Sequence, residues 1–163
     1  MADKLKEIIN KQQEKESAVV QLDDVVQLVG FMIGDEEYAV PILAIQEIIK
    51  PFPWTRVPQV PKYVMGVFNL RGAVIPLIDL RTKFGLEPKK HGEETRFIVM
   101  RYGDDVAGFV IDRLTMAIRI KKENIGPAPD TINDDDTIID GVGKQEDKII
   151  TLLKVNKLLE RDF

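Results

Sequence analysis

Short apolar segments rich in β-branched side chains limit how this chain can fold more than any other feature of it. VVQLVGFMI (25–33), EYAV (37–40), GVFNL (66–70), AVIPLID (73–79), RFIVMRY (96–102), VAGFVID (106–112), TMAIRI (115–120) and KIITLL (148–153) are separated by Gly, Pro or Asp signals. Val (16) and Ile (19) together outnumber Leu (13) by more than two to one. Such side chains are stiff in a helix and pack well on a pleated surface, so the bias points to strands. Many short strands with frequent turns imply barrels or a sandwich, an all-β chain with few and mostly terminal helices. Residues 42–49 (ILAIQEII) carry apolar positions suited to one or two helical turns between strands. Val155 to Arg161 has the spacing of a short closing helix, with Val155, Leu158 and Leu159 on one side. Residues 3–16 read as an exposed helix or a frayed tail, with Leu5, Ile8 and Ile9 as their only apolar side chains.

The chain also repeats itself. GVFNLRGAVIPLIDLRTKF (66–84) superimposes without gaps, at an offset of 75, on GVGKQEDKIITLLKVNKLL (141–159). Gly66 meets Gly141, Val74 meets Ile149, Leu77 meets Leu152 and Leu80 meets Val155. Upstream, Ile49, Pro51 and Pro53 match Ile125, Pro127 and Pro129 at an offset of 76, and the turn Gly34-Asp35 matches Gly103-Asp104 at 69. A duplication of this kind implies two halves of similar architecture, each too small to bury a good core alone, packed against one another.

Composition removes most chemistries. A length of 163 residues corresponds to one ordinary domain or two very small ones sharing a core. With no cysteine, disulfides, thiolate zinc sites and cysteine nucleophiles are excluded, and the chain reads as intracellular. The longest non-polar run, Tyr38 to Ile45, includes Pro41 and falls far short of the roughly 18 to 20 residues of a membrane helix. The N-terminus lacks the apolar stretch of a secretory signal, so a cytoplasmic location is expected. A single Ser17 and a single His91 leave a serine hydrolase almost nothing to use, and His91, in GLEPKKHGEETR, reads as a solvated loop residue. Asp134, Asp135 and Asp136 are consecutive rather than alternating, which does not suit a calcium loop. Gly141, Gly143 and Lys144 lack the spacing of a phosphate or dinucleotide loop and read as a hairpin turn. A net charge of −4, 11 aromatic residues and basic residues scattered among acids do not make a nucleic-acid footprint. The expectation is a chain without catalytic activity, cofactor, metal or nucleic-acid partner.

One segment is unusual. NLRG (69–72) lies between two apolar strands, where Gly72 supplies a permissive backbone and Asn69 is placed to bond the turn. Arg71 then points outward or toward a neighbouring carboxylate; on spacing alone a solvated hairpin arginine is the plainer reading.

With FMIGDEEYAVPILAIQEII, TRVPQVPKYVMGVFNLRGAVIPLIDLRTKFGL, TRFIVMRYGDDVAGFVIDRL, NIGPAPD, IDGVGK and IITLLKVNKLL in order, the chain from residue 25 to 160 resembles the CheW chemotaxis coupling proteins. The resemblance implies two five-stranded Src-homology-3-like barrels packed together, with short helices including one at the C-terminus. It implies a tail or helix over 1–24, a first barrel over 25–90 and a second, with its closing helix, over 91–163. The function it implies is that of a non-catalytic adaptor that joins the cytoplasmic tip of methyl-accepting chemoreceptors to the regulatory domain of the histidine kinase CheA, recruited to membrane-associated arrays without inserting in the membrane. Carried over residue by residue, Ile45, Glu47, Leu70 and Arg71 correspond to receptor-coupling positions, and Ile125, Pro127 and Pro129 to kinase contacts. Ile125 is equally readable as a core residue. Gly66, Gly72 and Gly108 correspond to structural turns, where a backbone constraint accounts for intolerance of a side chain. Charge at Glu47 and Arg71 suggests a pair that holds the NLRG turn.

Overall fold

The computed structural model describes residues 24–127 and 138–160. Strands β1 (Val25–Ile33) and β2 (Glu36–Pro41) form a hairpin, and a 3₁₀ turn (Ile42–Ala44) leads to β3 (Ile45–Ile49). A second hairpin, β4 (Val64–Leu70) and β5 (Ala73–Asp79), runs into helix α1 (Leu80–Lys83). The series then repeats as β6 (Arg96–Tyr102), β7 (Asp105–Ile111), β8 (Arg113–Lys121), a 3₁₀ turn (Lys122–Asn124), β9 (Ile125–Gly126), β10 (Ile139–Gln145), β11 (Lys148–Leu153) and α2 (Val155–Leu158). The fold is all-β, two Src-homology-3-like barrels packed together with a few short helices.

Neither barrel is made from one half of the chain. One sheet runs β3-β6-β7-β5-β4 and the other β8-β1-β2-β11-β10-β9. Each half therefore gives its first hairpin to the other half's barrel, and each borrowed hairpin docks through a parallel pairing, β7 on β5 and β2 on β11. Barrel one is residues 45–111, and barrel two is 25–41 together with 113–126 and 139–153. The expected division at residues 90 and 91 thus falls inside the five-stranded sheet. The physical reason is that a half on its own leaves strand edges unpaired, and the other half's hairpin satisfies them.

The repeat is carried by backbone register. Pairings from Gly66↔Leu77 to Leu70↔Ala73 recur 75 residues later from Gly141↔Leu152 to Gln145↔Lys148, each preceded by a bulge. Asp79 N donates to Tyr63 O at 2.7 Å, and Lys154 N donates to Ile138 O at 2.7 Å, at the same offset. The turns at Gly34 (φ 63°) and Gly103 (φ 61°) correspond at 69. The match of Ile49 and Pro51 to Ile125 and Pro127 is not structural, and that of Pro53 to Pro129 lies outside the described residues. Gly126 pairs with Val142, whose counterpart Val67 pairs with Thr55, so Ile125 corresponds to Trp54 and Pro127 to Arg56. Between its pairing with the borrowed hairpin and this closing contact, the second half has two more residues than the first (Ile118 to Gly126 against Ile49 to Thr55), which breaks the ungapped match.

Three apolar clusters follow from this plan. Phe68, Leu77, Phe97 and Val99 fill barrel one. Leu28, Ile118, Ile150 and Leu152 fill barrel two. Between them lies a seam to which both sheets and both helices contribute, including Phe31, Val40, Ile98, Phe109, Leu80 and Leu158. Residues 42–49, expected as helical turns, are one 3₁₀ turn followed by a strand, because β3 must cover the edge of β6. The GVGK segment is strand β10 rather than a turn. Only Gly72 of the three glycines assigned to turns lies in one. Gly66 sits in β4 at a bulge, at φ 154°, where an added Cβ would collide with the carbonyl oxygen of Thr55. Gly108 is mid-strand in β7, where a Cβ would stand 2.7 Å from the ring of Phe68.

Candidate functional site

The last rung of the β4–β5 hairpin is Leu70↔Ala73, so Arg71 and Gly72 alone make the turn. Both have positive φ, 53° and 87°, the pattern of a two-residue type I′ hairpin. Gly72 adopts this freely, whereas Arg71 does so against its Cβ. Asn69 supports the turn, its Oδ1 accepting the Gly72 N–H at 3.0 Å. The arrangement throws the Arg71 side chain outward, 76% exposed, where its guanidinium meets the carboxylate of Glu47 on β3. Nη2 donates to Oε1 at 2.8 Å and Nε to Oε2 at 3.3 Å. A planar fork on a planar carboxylate fixes direction as well as distance. Hydrogen bonding from Arg71, reinforced by its charge, holds the Glu47 carboxyl below the usual carboxylate range and outweighs the opposing effect of burial. The same bond raises the Arg71 guanidinium further. Both groups are charged at neutral pH.

Exposed apolar side chains lie just before β3 and on the Arg71 hairpin. Leu43 is 97% exposed and Ile42 is also exposed, both immediately before β3. Val74, on the same hairpin as Arg71, is 67% exposed. Ile45 is half-buried against the seam between the barrels, and Leu70 is half-buried against the core of barrel one. Of the four sequence-assigned coupling residues, the structure joins Glu47 to Arg71, places Leu70 beside Arg71 in the chain, and turns Ile45 toward the seam. Leu43, Ile42 and Val74 escaped the sequence reading. Their signal was present in ILAIQEII, where apolar residues at 42, 43, 44 and 45 exceed what one face of a strand can bury.

The second set lies on barrel two. Ile125 pairs with Gly143 and is half-buried against that barrel's core, and Pro127 is exposed. Pro129 lies outside the described residues. His91 is not a solvated loop residue. Its ring packs on Trp54 (5.3 Å between centroids) and Phe97 (5.8 Å), anchoring the connection between the halves to barrel one. Among the described residues no group of three or more His, Cys, Asp or Glu could hold a metal ion, and no helix is long and apolar enough to cross a membrane.

Comparison with known proteins agrees with this architecture. Residues 27–163 match the model of the CheW-like domain. The chain is 52% identical over 165 residues to chemotaxis protein CheW of Helicobacter pylori, covering 100% of both chains. It is 34% identical over 137 residues to chemotaxis protein CheW of Bacillus subtilis, covering 83% of this chain and 88% of that one. Among solved structures it superimposes on the scaffolding protein TtCheW from Thermoanaerobacter tengcongensis with a TM-score of 0.77 and 30% identity, over 84% of this chain and 94% of the other. The chain therefore belongs to the CheW family of chemotaxis scaffold proteins, and its role is that of an adaptor rather than an enzyme.

Proposed function

We propose that this adaptor couples methyl-accepting chemoreceptors to the histidine kinase CheA, acting in the cytoplasm at membrane-associated arrays. The observation that carries the reading is the two-point ion pair of Glu47 and Arg71, with exposed apolar residues just before the strand of Glu47 and on the hairpin of Arg71. A charged fork flanked by open apolar side chains suits an amphipathic receptor helix, which presents both kinds of group on adjoining stripes. The receptor tip docks at Ile45, Glu47, Leu70 and Arg71, with Leu43 adding contact area. The regulatory domain of the kinase docks on barrel two at Ile125, Pro127 and Pro129. Control of the kinase then arises by linkage, since a scaffold that binds one kinase conformation better shifts the population toward it.

Charge reversal tests the receptor site. An exposed ion pair adds little to folding, so Glu47→Arg and Arg71→Glu should leave the melting temperature nearly unchanged. Each should weaken co-sedimentation with receptor-containing membranes by about tenfold or more, and the doubly reversed protein should recover part of the loss. Receptor binding that survives both single changes while the melting temperature falls would mean that the pair is structural only. On barrel two, Pro127→Asp is the cleaner probe of kinase binding than Ile125→Asp, because Pro127 is exposed and Ile125 contributes to a core.

A further inference from the structure

The chain crosses between the barrels twice, at Ile42–Ala44 and at Asp112, the single residue between β7 and β8. We propose that the ion pair of Arg81 with Asp112 is the lock that sets the orientation of one barrel on the other. Asp112 Oδ2 accepts from Arg81 Nη1 at 2.6 Å and from the Gly34 N–H at 2.8 Å, and the Asp112 N–H donates to Met32 O at 3.1 Å. Arg81 belongs to α1, which continues barrel one, whereas Gly34 and Met32 belong to the β1–β2 hairpin of barrel two. Arg81 is itself held by a bond from Nε to Glu87 O at 2.9 Å. The two side chains are only 18% and 17% exposed. One carboxylate thus ties the crossing strand, the helix of one barrel and the hairpin of the other.

Most of the seam is apolar, and apolar contact is non-directional, so packed elements of this kind slide with little change in buried area. A partly buried guanidinium and carboxylate with further backbone partners favour one arrangement, because the paired fork and its backbone bonds fix direction as well as distance. The repeat sharpens the point. The counterpart of Asp112, 69 residues earlier, is Leu43, and the counterpart of Arg81, 75 residues later, is Asn156. A leucine cannot accept a hydrogen bond from its side chain, so Leu43 supplies no such tie at its crossing. The barrels are tied by an ion pair at one crossing, whereas at the other Leu43 is exposed and Ala44 and Ile45 pack on the seam. The lock stands on geometry alone. Its consequence, that receptor and kinase surfaces on different barrels keep a fixed mutual orientation, rests on the function proposed above.

The chain has no cysteine, so spin labels can be placed without removing native thiols. Val74→Cys in barrel one and Ile149→Cys in barrel two are counterpart positions, 67% and 66% exposed. Pulsed dipolar spectroscopy on the labelled full chain should give one narrow distance distribution. Arg81→Met and Asp112→Asn should broaden or split it while circular dichroism stays native, Arg81→Lys should fall between, and Leu43→Ala should leave it narrow. Native-like spectra with an unbroadened distribution in Arg81→Met and Asp112→Asn would overturn the lock. Loss of the fold in all three variants would overturn it too, making the pair a folding determinant. Unlabelled proteins test the consequence. A broadened distribution with receptor and kinase binding both intact would retain the lock and remove its link to coupling. Charge reversal at Glu47 or Arg71 that leaves receptor binding intact would defeat the docking reading alone.

Discussion

Tyr38 is a half-buried tyrosine at the seam between the barrels. Its ring stacks on Phe31 at 6.3 Å and meets Phe84 at 5.0 Å, and its hydroxyl donates to Glu36 Oε2 at 2.9 Å. Burial first, then that hydrogen bond and the charge of Glu36, push the phenol from 10.0 up to about 12. A folded-state value above the unfolded one means that the contribution to stability is fully present below pH 10 and is lost as pH rises through about 12. Urea midpoints of the native chain should therefore fall faster between pH 10 and 12 than those of Tyr38→Phe; parallel curves would sink the assignment. At this scale the sequence was informative where chemistry is local. NLRG announced a turn with Arg71 in it, whereas Glu47 was reached through the family resemblance, and the structure joins the two. His91 was misjudged because its surroundings, Phe97 and Trp54, come from other chain segments, and Leu43 was passed over because its exposure depends on the barrel crossing.

Strands in the two barrels solve one packing problem with large and small residues exchanged. In barrel one Phe68 on β4 lies over Gly108 on β7, and the space is so close that a Cβ on Gly108 would stand 2.7 Å from the ring. The counterparts in barrel two are Gly143 and Ala39, and there Ile120 reaches in instead, 2.9 Å from where a Gly143 Cβ would be. Gly108→Ala should then destabilise the protein by about 1–3 kcal/mol through overpacking, with part of the loss restored when Phe68→Leu makes room. A Gly108→Ala protein with native stability in chemical denaturation would refute the argument. The same glycines explain what went unread in β10. Three positions of Gly-Val-Gly looked like a turn, whereas Gly141 is small because a Cβ there would stand 2.6 Å from Gly126 O. Short strands such as β3 are ambiguous for a different reason. Apolar residues at 45, 48 and 49 satisfy a helical spacing as well as a strand, and only pairing with β6 decides.

Across the whole molecule, the sequence implied two related units and left their wiring open, since a repeat gives equivalence without saying which half completes which barrel. The register fixes it: β1 pairs with β8, so Val25 meets Lys121, while β6 pairs with β3, so Ile49 meets Phe97. A boundary near residue 90 allowed for an N-terminal strand crossing between barrels, and the exchange involves a whole hairpin from each half. The exchange makes each half dependent on the other. Without residues 96–111, β3 and β5 lose the strands between them; without residues 25–41, β8 and β11 lose theirs. A chain cut in the loop between Leu86 and Thr95 should therefore give two fragments that are each unfolded alone by circular dichroism. Mixed in equal amounts, they should recover the native spectrum and elute together, because the cut removes only connectivity and leaves every strand pairing available. The melting temperature of the reassembled pair should rise with concentration, as it must when folding and association are one step. Cooperative unfolding of either fragment by itself would show that a half can complete its own barrel, and would reduce the hairpin exchange from a condition of folding to a detail of how the finished barrels are packed.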